Sequence, residues 1–107
     1  MKNREIIYRE DLYFQGVVQI RPSNIEVLNF AINQIKKSKS CELTKIVERK
    51  EGFDLYLTSQ KFVQNLGNRL RKSFKGTLKK SKTIYGRNKL TSKDVYRVTV
   101  CFRLKEN

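Results

Sequence analysis

The chain has no histidine, a single proline, two cysteines and five glycines in 107 residues, and from Leu55 to Lys93 it contains no aspartate or glutamate. Each scarcity excludes something. With no His, and with Cys41 and Cys101 sixty positions apart, no residues stand at metal-ligand spacing, so no zinc or other metal site is expected. Both cysteines fall in apolar, strand-like runs, where a reduced, buried thiol is the expected state, as in a cytoplasmic protein. General acid–base catalysis usually draws on His or on carboxylates paired in a cleft, and a nucleophile needs a base beside it. Neither arrangement is visible, nor is a Gly-rich phosphate loop ahead of a helix. A non-enzymatic domain with no cofactor and no small-molecule substrate is therefore expected.

The scarcity of Pro and Gly, together with recurring β-branched and aromatic residues, argues for a folded chain. Its length supports one modest core and one domain. No apolar run approaches the roughly 20 residues that span a bilayer, and the N-terminus lacks a signal-peptide core. The expectation is a cytoplasmic protein with no membrane partner.

Positive charge is what the chain has in abundance. Lys and Arg number 24 against 10 Asp and Glu, a formal net charge of +14, and the acid-free stretch from Leu55 to Lys93 supplies +11 of it through eleven Lys and Arg. Such self-repulsion opposes compactness, whereas a fixed basic face gains by displacing the counterions condensed on nucleic acid. A polyanionic partner is expected, and nucleic acid before others.

Met1 to Asp11 shows no clear period and is read as a lead-in that need not be ordered, ahead of a single domain from Leu12 to Asn107. Phe14, Val18 and Ile20 alternate with Tyr13, Gln15, Gln19 and Arg21, a strand that Pro22 closes and in which Gly16 marks a bulge or a close approach. Ser23 and Glu26 form a capping box for a helix from about Asn24 to Lys37, whose stripe is Ile25, Leu28, Ala31, Ile32 and Ile35. Two short strands, Cys41 to Glu48 and Phe53 to Leu57, flank a connection of hairpin length.

Thr58 or Ser59 caps a second helix with the apolar face Phe62, Val63, Leu66, Leu70 and Phe74, and Gly76 is its expected stop. Strands Thr77 to Tyr85 and Val95 to Leu104 follow, the latter with Tyr96, Val98, Val100, Phe102 and Leu104 inward; the basic loop Gly86 to Lys93 lies between them. The order β-α-β-β-α-β-β predicts an α+β fold of the ferredoxin-like, split βαβ kind, with an antiparallel sheet carrying both helices on one face.

Candidate RNA contacts fall into four groups. Lys61, Arg71, Lys72 and Lys75 lie on the far side of the second helix, with Arg69 at the edge of its apolar stripe, each able to neutralise a phosphate. Lys79, Lys80 and Lys82 project on both faces of an edge-like strand, where phosphate contact and protection against edge-to-edge pairing are both open readings. Arg87, Lys89 and Lys93 belong to the basic loop, the first choice for insertion into folded RNA. Tyr13, Tyr56 and Tyr85 run out of phase with the apolar residues of their strands and could stack bases. An RNA recognition motif shares the element order, but Glu51 to Leu57 lacks the second Gly and the spaced aromatics of its third strand.

The segments Tyr13–Arg21, Phe53–Gly76 and Lys82–Arg103 resemble the archaeal branch of the large ribosomal subunit export adaptor family, named after nonsense-mediated mRNA decay protein three. The most specific parts are the Phe-Asp-Leu-Tyr-Leu-Thr-Ser junction at Phe53–Ser59 and Tyr85-Gly86-Arg87 followed by Val-Tyr-Arg-Val-Thr-Val at Val95–Val100. The resemblance implies a factor that binds the large ribosomal subunit, contacting ribosomal RNA and ribosomal proteins in late maturation, export or quality control. Family members also carry zinc-binding cysteine pairs upstream and, in eukaryotes, export signals near the C-terminus. Neither is found in these 107 residues, so the chain is expected to correspond to one internal domain, either as a segment of a longer protein or as a trimmed relative. A protein-interaction adaptor docking its basic face on acidic partners, and a general RNA-binding domain, remain the alternatives.

Overall fold

The computed structural model describes the backbone of residues 4–7, 14–88 and 93–105, with side chains over 14–84 and 96–105. Eight elements follow one another: β1 (Arg4–Ile7), β2 (Gly16–Arg21), α1 (Ile25–Lys37), β3 (Leu43–Arg49), β4 (Gly52–Leu57), α2 (Gln60–Ser73), β5 (Gly76–Asn88) and β6 (Lys93–Leu104). The strands make one sheet in the order β1-β3-β4-β2-β6-β5. Both helices cover the same face of it. Val27, Ala31 and Ile35 of α1 and Val63, Leu66 and Leu70 of α2 close on a single cluster with Val18, Ile20, Leu55, Val100 and Phe102.

Each helix begins on a side-chain cap that supplies an acceptor to an otherwise orphaned N–H. In α1 the cap is Asn24, whose Oδ1 accepts from the Val27 amide at 3.0 Å, one residue later than the capping box at Ser23. In α2 it is Ser59, whose Oγ accepts from Phe62 N at 3.2 Å. Thr58, the other candidate, instead accepts from Glu42 N at 2.9 Å and ties the helix entry to the start of β3. Gly76 is not the helix stop. α2 ends at Ser73, the Phe74 amide caps it by donating to Leu70 O, and Gly76 opens β5.

The first half of the sheet keeps the split βαβ order, with β4 inserted between β2 and β3 and antiparallel to both. The second half departs from the predicted antiparallel arrangement. β6 takes the place beside β2 and runs parallel to it, from Gly16 opposite Val98 to Arg21 opposite Arg103, while β5 lies outside β6 at the sheet's edge. The sheet is therefore mixed.

Side-chain chemistry accounts for the exchange. On β6 the residues facing the helices are Val98, Val100 and Phe102, all buried, which suits a central strand under α2. On β5 the corresponding positions include Lys80 and Lys82, opposite Val100 and Val98. Next to β2 those ammonium groups would be forced under a helix at a large desolvation cost, whereas at the edge they stay in water.

Two further differences concern lengths. Arg4–Ile7, read as part of the lead-in, pairs with β3 as the opposite edge strand. Of the segment Gly86 to Lys93, expected as a loop, Gly86–Asn88 and Lys93 are strand residues: Arg87 stands opposite Asp94 and Asn88 opposite Lys93, beyond a register shift between Ile84 and Gly86, and 89–92 lie outside the described residues. β6 pairs with β2 only from Val98 onward, so Lys93–Arg97 and the facing part of β5 extend past the sheet as a two-stranded ribbon.

Candidate nucleic-acid interface

The basic surface is built on α2, whose stripe brings it close against β6 and β2. A Cβ at Gly67 would sit 2.6 Å from Val100 Cγ1 and 3.3 Å from Leu78 Cδ1, and one at Gly16 would sit 2.6 Å from Val63 Cγ2. Only glycine allows the helix to lie this low at these two points. Seating the helix there turns its other side outward: Lys61, Asn65, Asn68, Arg69, Arg71 and Lys72 are all exposed, and Lys75 is exposed just beyond it. At 100° per residue, Gln60, Gln64, Gly67 and Arg71 run along the flank turned towards β5. Lys80 and Lys82 face the helix side of the sheet there and border a cationic strip with Arg71 on that flank and Lys61 on the outward side of the first turn. Lys79, opposite Cys101, projects from the other face. Arg69 is engaged elsewhere: its Nη1 donates to Gln34 Oε1 of α1 at 2.9 Å.

Helix electrostatics separate α2 from α1. α1 has Glu26 in its first turn and Lys36 and Lys37 in its last, each complementary to the macrodipole. α2 has no acidic residue in its first turn and places Lys61 there, beside the positive end of its own dipole. Lys61 therefore opposes the dipole of the helix it belongs to, whereas Arg71 and Lys72 in the last turn complement it. Among the described residues the mapped ion pairs join Arg21 and Arg49 to Asp54, and none reaches Lys61, Arg71, Lys72, Lys75, Lys80 or Lys82.

The opposite face of the sheet holds a different kind of arrangement. Asp54 is 2% exposed and accepts from Arg21 Nη2 at 2.8 Å and from Arg49 Nε at 2.6 Å. That carboxylate raises the Arg49 pKa above its ordinary value, chiefly through the hydrogen bond, and these arginines serve the fold. Tyr56, one of the predicted stacking residues, lies on this side too. Phe14 meets its ring edge-on at 4.8 Å between centroids, and Lys45 Nζ sits 4.6 Å over it. Phe14 departs from the alternation of β2 because the chain bends at Gln15, and Arg97 lies 4.0 Å over its ring. Tyr56 is thus half-buried, held by neighbours, and separated by the sheet from the strip on α2 and β5.

Tyr13 and Lys89 lie outside the described residues. Tyr85, Arg87 and Lys93 are placed as strand residues, with their side chains outside the description. Tyr96, expected in the interior, stands exposed on the helix side instead: it is 40% exposed, and its cross-strand partner Ile84 is 56% exposed. Gln60 Nε2 donates to the Tyr96 carbonyl and braces the ribbon where it leaves the sheet. Alternation assigns the correct face to Tyr96. The clue that the cover ends before it is the greater length of the last strand relative to the first.

A family model described as NMD3, second domain, matches residues 13–104. The chain belongs to the NMD3 family. That family is linked to ribosomal subunit export and ribosome association, and the NMD3 match spans every described element from β2 to β6. No curated protein matches the chain. Among the described residues no three His, Cys, Asp or Glu side chains gather as a metal-holding group, and no helix is long and apolar enough to cross a membrane.

Proposed function

We propose that this domain is a non-enzymatic, cytoplasmic RNA-contacting part of a factor that binds the large ribosomal subunit, touching ribosomal RNA and adjacent ribosomal proteins in late maturation, export or quality control. Membership of the NMD3 family supports the ribosomal setting. The observation that carries the RNA contact is the strip formed by Lys61, Arg71, Lys80 and Lys82. Its cations are exposed, take no part in the mapped ion pairs, and lie within a stretch free of carboxylates. Phosphate oxygens are the ligands such a strip suits, because each contact releases condensed counterions without requiring a base sequence.

Co-sedimentation with purified large subunits tests the reading. Wild-type protein is expected to travel with the subunit, less so as salt rises, and the combined substitution Lys61→Glu, Arg71→Glu, Lys80→Glu and Lys82→Glu to stay in the supernatant. Binding to protein-free large-subunit RNA separates this reading from docking on an acidic protein, which would leave naked RNA unbound. Crosslinking in cells, with reads spread evenly over messenger RNA, would contradict the ribosomal assignment.

A further inference from the structure

Three large apolar side chains stand exposed among the described residues: Ile25, Ile84 and Tyr96. Two of them, Ile84 and Tyr96, are direct cross-strand partners at the root of the β5–β6 ribbon. They are uncovered because α2 begins too late along β6 to shield them. Val63 already lies over Gly16, which stands opposite Val98, two residues further along β6.

The pair is held firmly. The ladder fixes Ile84 and Tyr96 in register, and Gln60 Nε2 holds the Tyr96 carbonyl from the helix side. Lys82 lies on the same side of β5, two residues before Ile84, and Lys61 is exposed in the adjoining first turn of α2. A shallow recess at the start of α2, lined by Gln15, Ser59, Gln60, Lys61, Gln64 and Asn65, shares with the pair only Gln60, whose side chain reaches the Tyr96 carbonyl.

From this placement we infer that Tyr96 and Ile84 form a stacking platform for one unpaired base of the bound RNA, with Lys61 and Lys82 meeting the phosphates that flank it. The inference rests on the RNA-binding reading above and adds base recognition to what is otherwise a phosphate-contacting surface. An aromatic ring beside cations suits a nucleotide, since stacking takes any base while the flanking charges hold its backbone. The amides of Gln60 and Gln64, on the flank of α2 turned towards β5, offer donors and acceptors to the base edge.

The test uses two RNA duplexes matched in length and, to within one phosphate, in charge: one fully paired, the other with a single unpaired 2-aminopurine nucleotide. Wild-type protein is expected to prefer the bulged duplex by on the order of tenfold and to quench the 2-aminopurine fluorescence. Tyr96→Ala should abolish both the preference and the quenching while leaving affinity for the paired duplex unchanged; Tyr96→Phe should keep both. Ile84→Ser, a change on an exposed edge strand, should weaken the preference in the same direction.

Equal wild-type affinity for the two duplexes would overturn the platform and leave the phosphate-contacting reading in place. Persistence of the preference in Tyr96→Ala would do the same. A wild-type protein that binds neither RNA would overturn both readings. RNA binding like that of the wild type, combined with loss of subunit association in Tyr96→Ala, would assign the pair to a protein contact and overturn the platform.

Discussion

α1 and α2 do the same structural work and present different surfaces. Each starts on a polar cap, lays one apolar stripe on the same sheet face, and contributes to the same core. Outside, α1 shows Glu26, Asn29, Asn33, Lys36 and Lys37, charges arranged as its own dipole favours. α2 shows Lys61, Arg69, Arg71 and Lys72 with no carboxylate among them. Folding accounts for both stripes and for the charges of α1. It does not account for Lys61, or for the continuation of positive charge from α2 onto the helix side of β5. The RNA-contacting reading assigns the cations of α2 and of the helix side of β5 to recognition, across the sheet from the arginines that neutralise Asp54.

The comparison can be broken first in the core, where the two helices should be equally indispensable. Leu66→Ala in α2 and Ile35→Ala in α1 are each expected to cost about 2–5 kcal/mol in urea-induced unfolding; near-wild-type stability in either would mean that its helix is not needed to close the core. Gly67→Ala comes next. Although alanine favours a helix over glycine by about 1 kcal/mol, its methyl must displace the packed Val100, and a net destabilisation of about 1–3 kcal/mol is expected. The smallest effect is the most specific to the contrast. Lys61→Glu should raise stability by roughly 0.3–1 kcal/mol through the helix dipole while weakening RNA binding, and Glu26→Lys should lower stability by a similar amount and leave RNA binding intact. Thermal unfolding and fluorescence anisotropy on the same samples read both halves.

Much of this is legible in the sequence because periodicity reports faces. The stripe of α2 and the alternation of Val98, Val100 and Phe102 hold in the structure. Periodicity does not report neighbours. Nothing in the alternation of β6 says that it pairs beside β2 and not at the edge; only the conflict between Lys80, Lys82 and a covering helix decides that. Nor does it report where a cover stops. Alternation puts Tyr96 on the correct face and yet the residue stands in solvent, and Tyr56, out of phase as expected, lies on the face away from α2 and its cationic strip. The irregularity between Ile84 and Gly86 interrupts the alternation of β5, so the hairpin end beyond it reads as a loop. β1, with four residues, is too short to show a period at all.

The central claim is that RNA is bound by the α2 side and not by net charge alone. Two double variants remove the same charge from the two helices: Lys61→Glu with Lys72→Glu in α2, and Lys36→Glu with Lys37→Glu in α1. Affinity for large-subunit RNA measured across a salt series should fall at least tenfold for the α2 variant, with the log–log slope reduced by roughly 0.9 for each phosphate no longer neutralised. The α1 variant should keep the wild-type slope. Equal drops in affinity and equal slopes in the two variants would contradict the account.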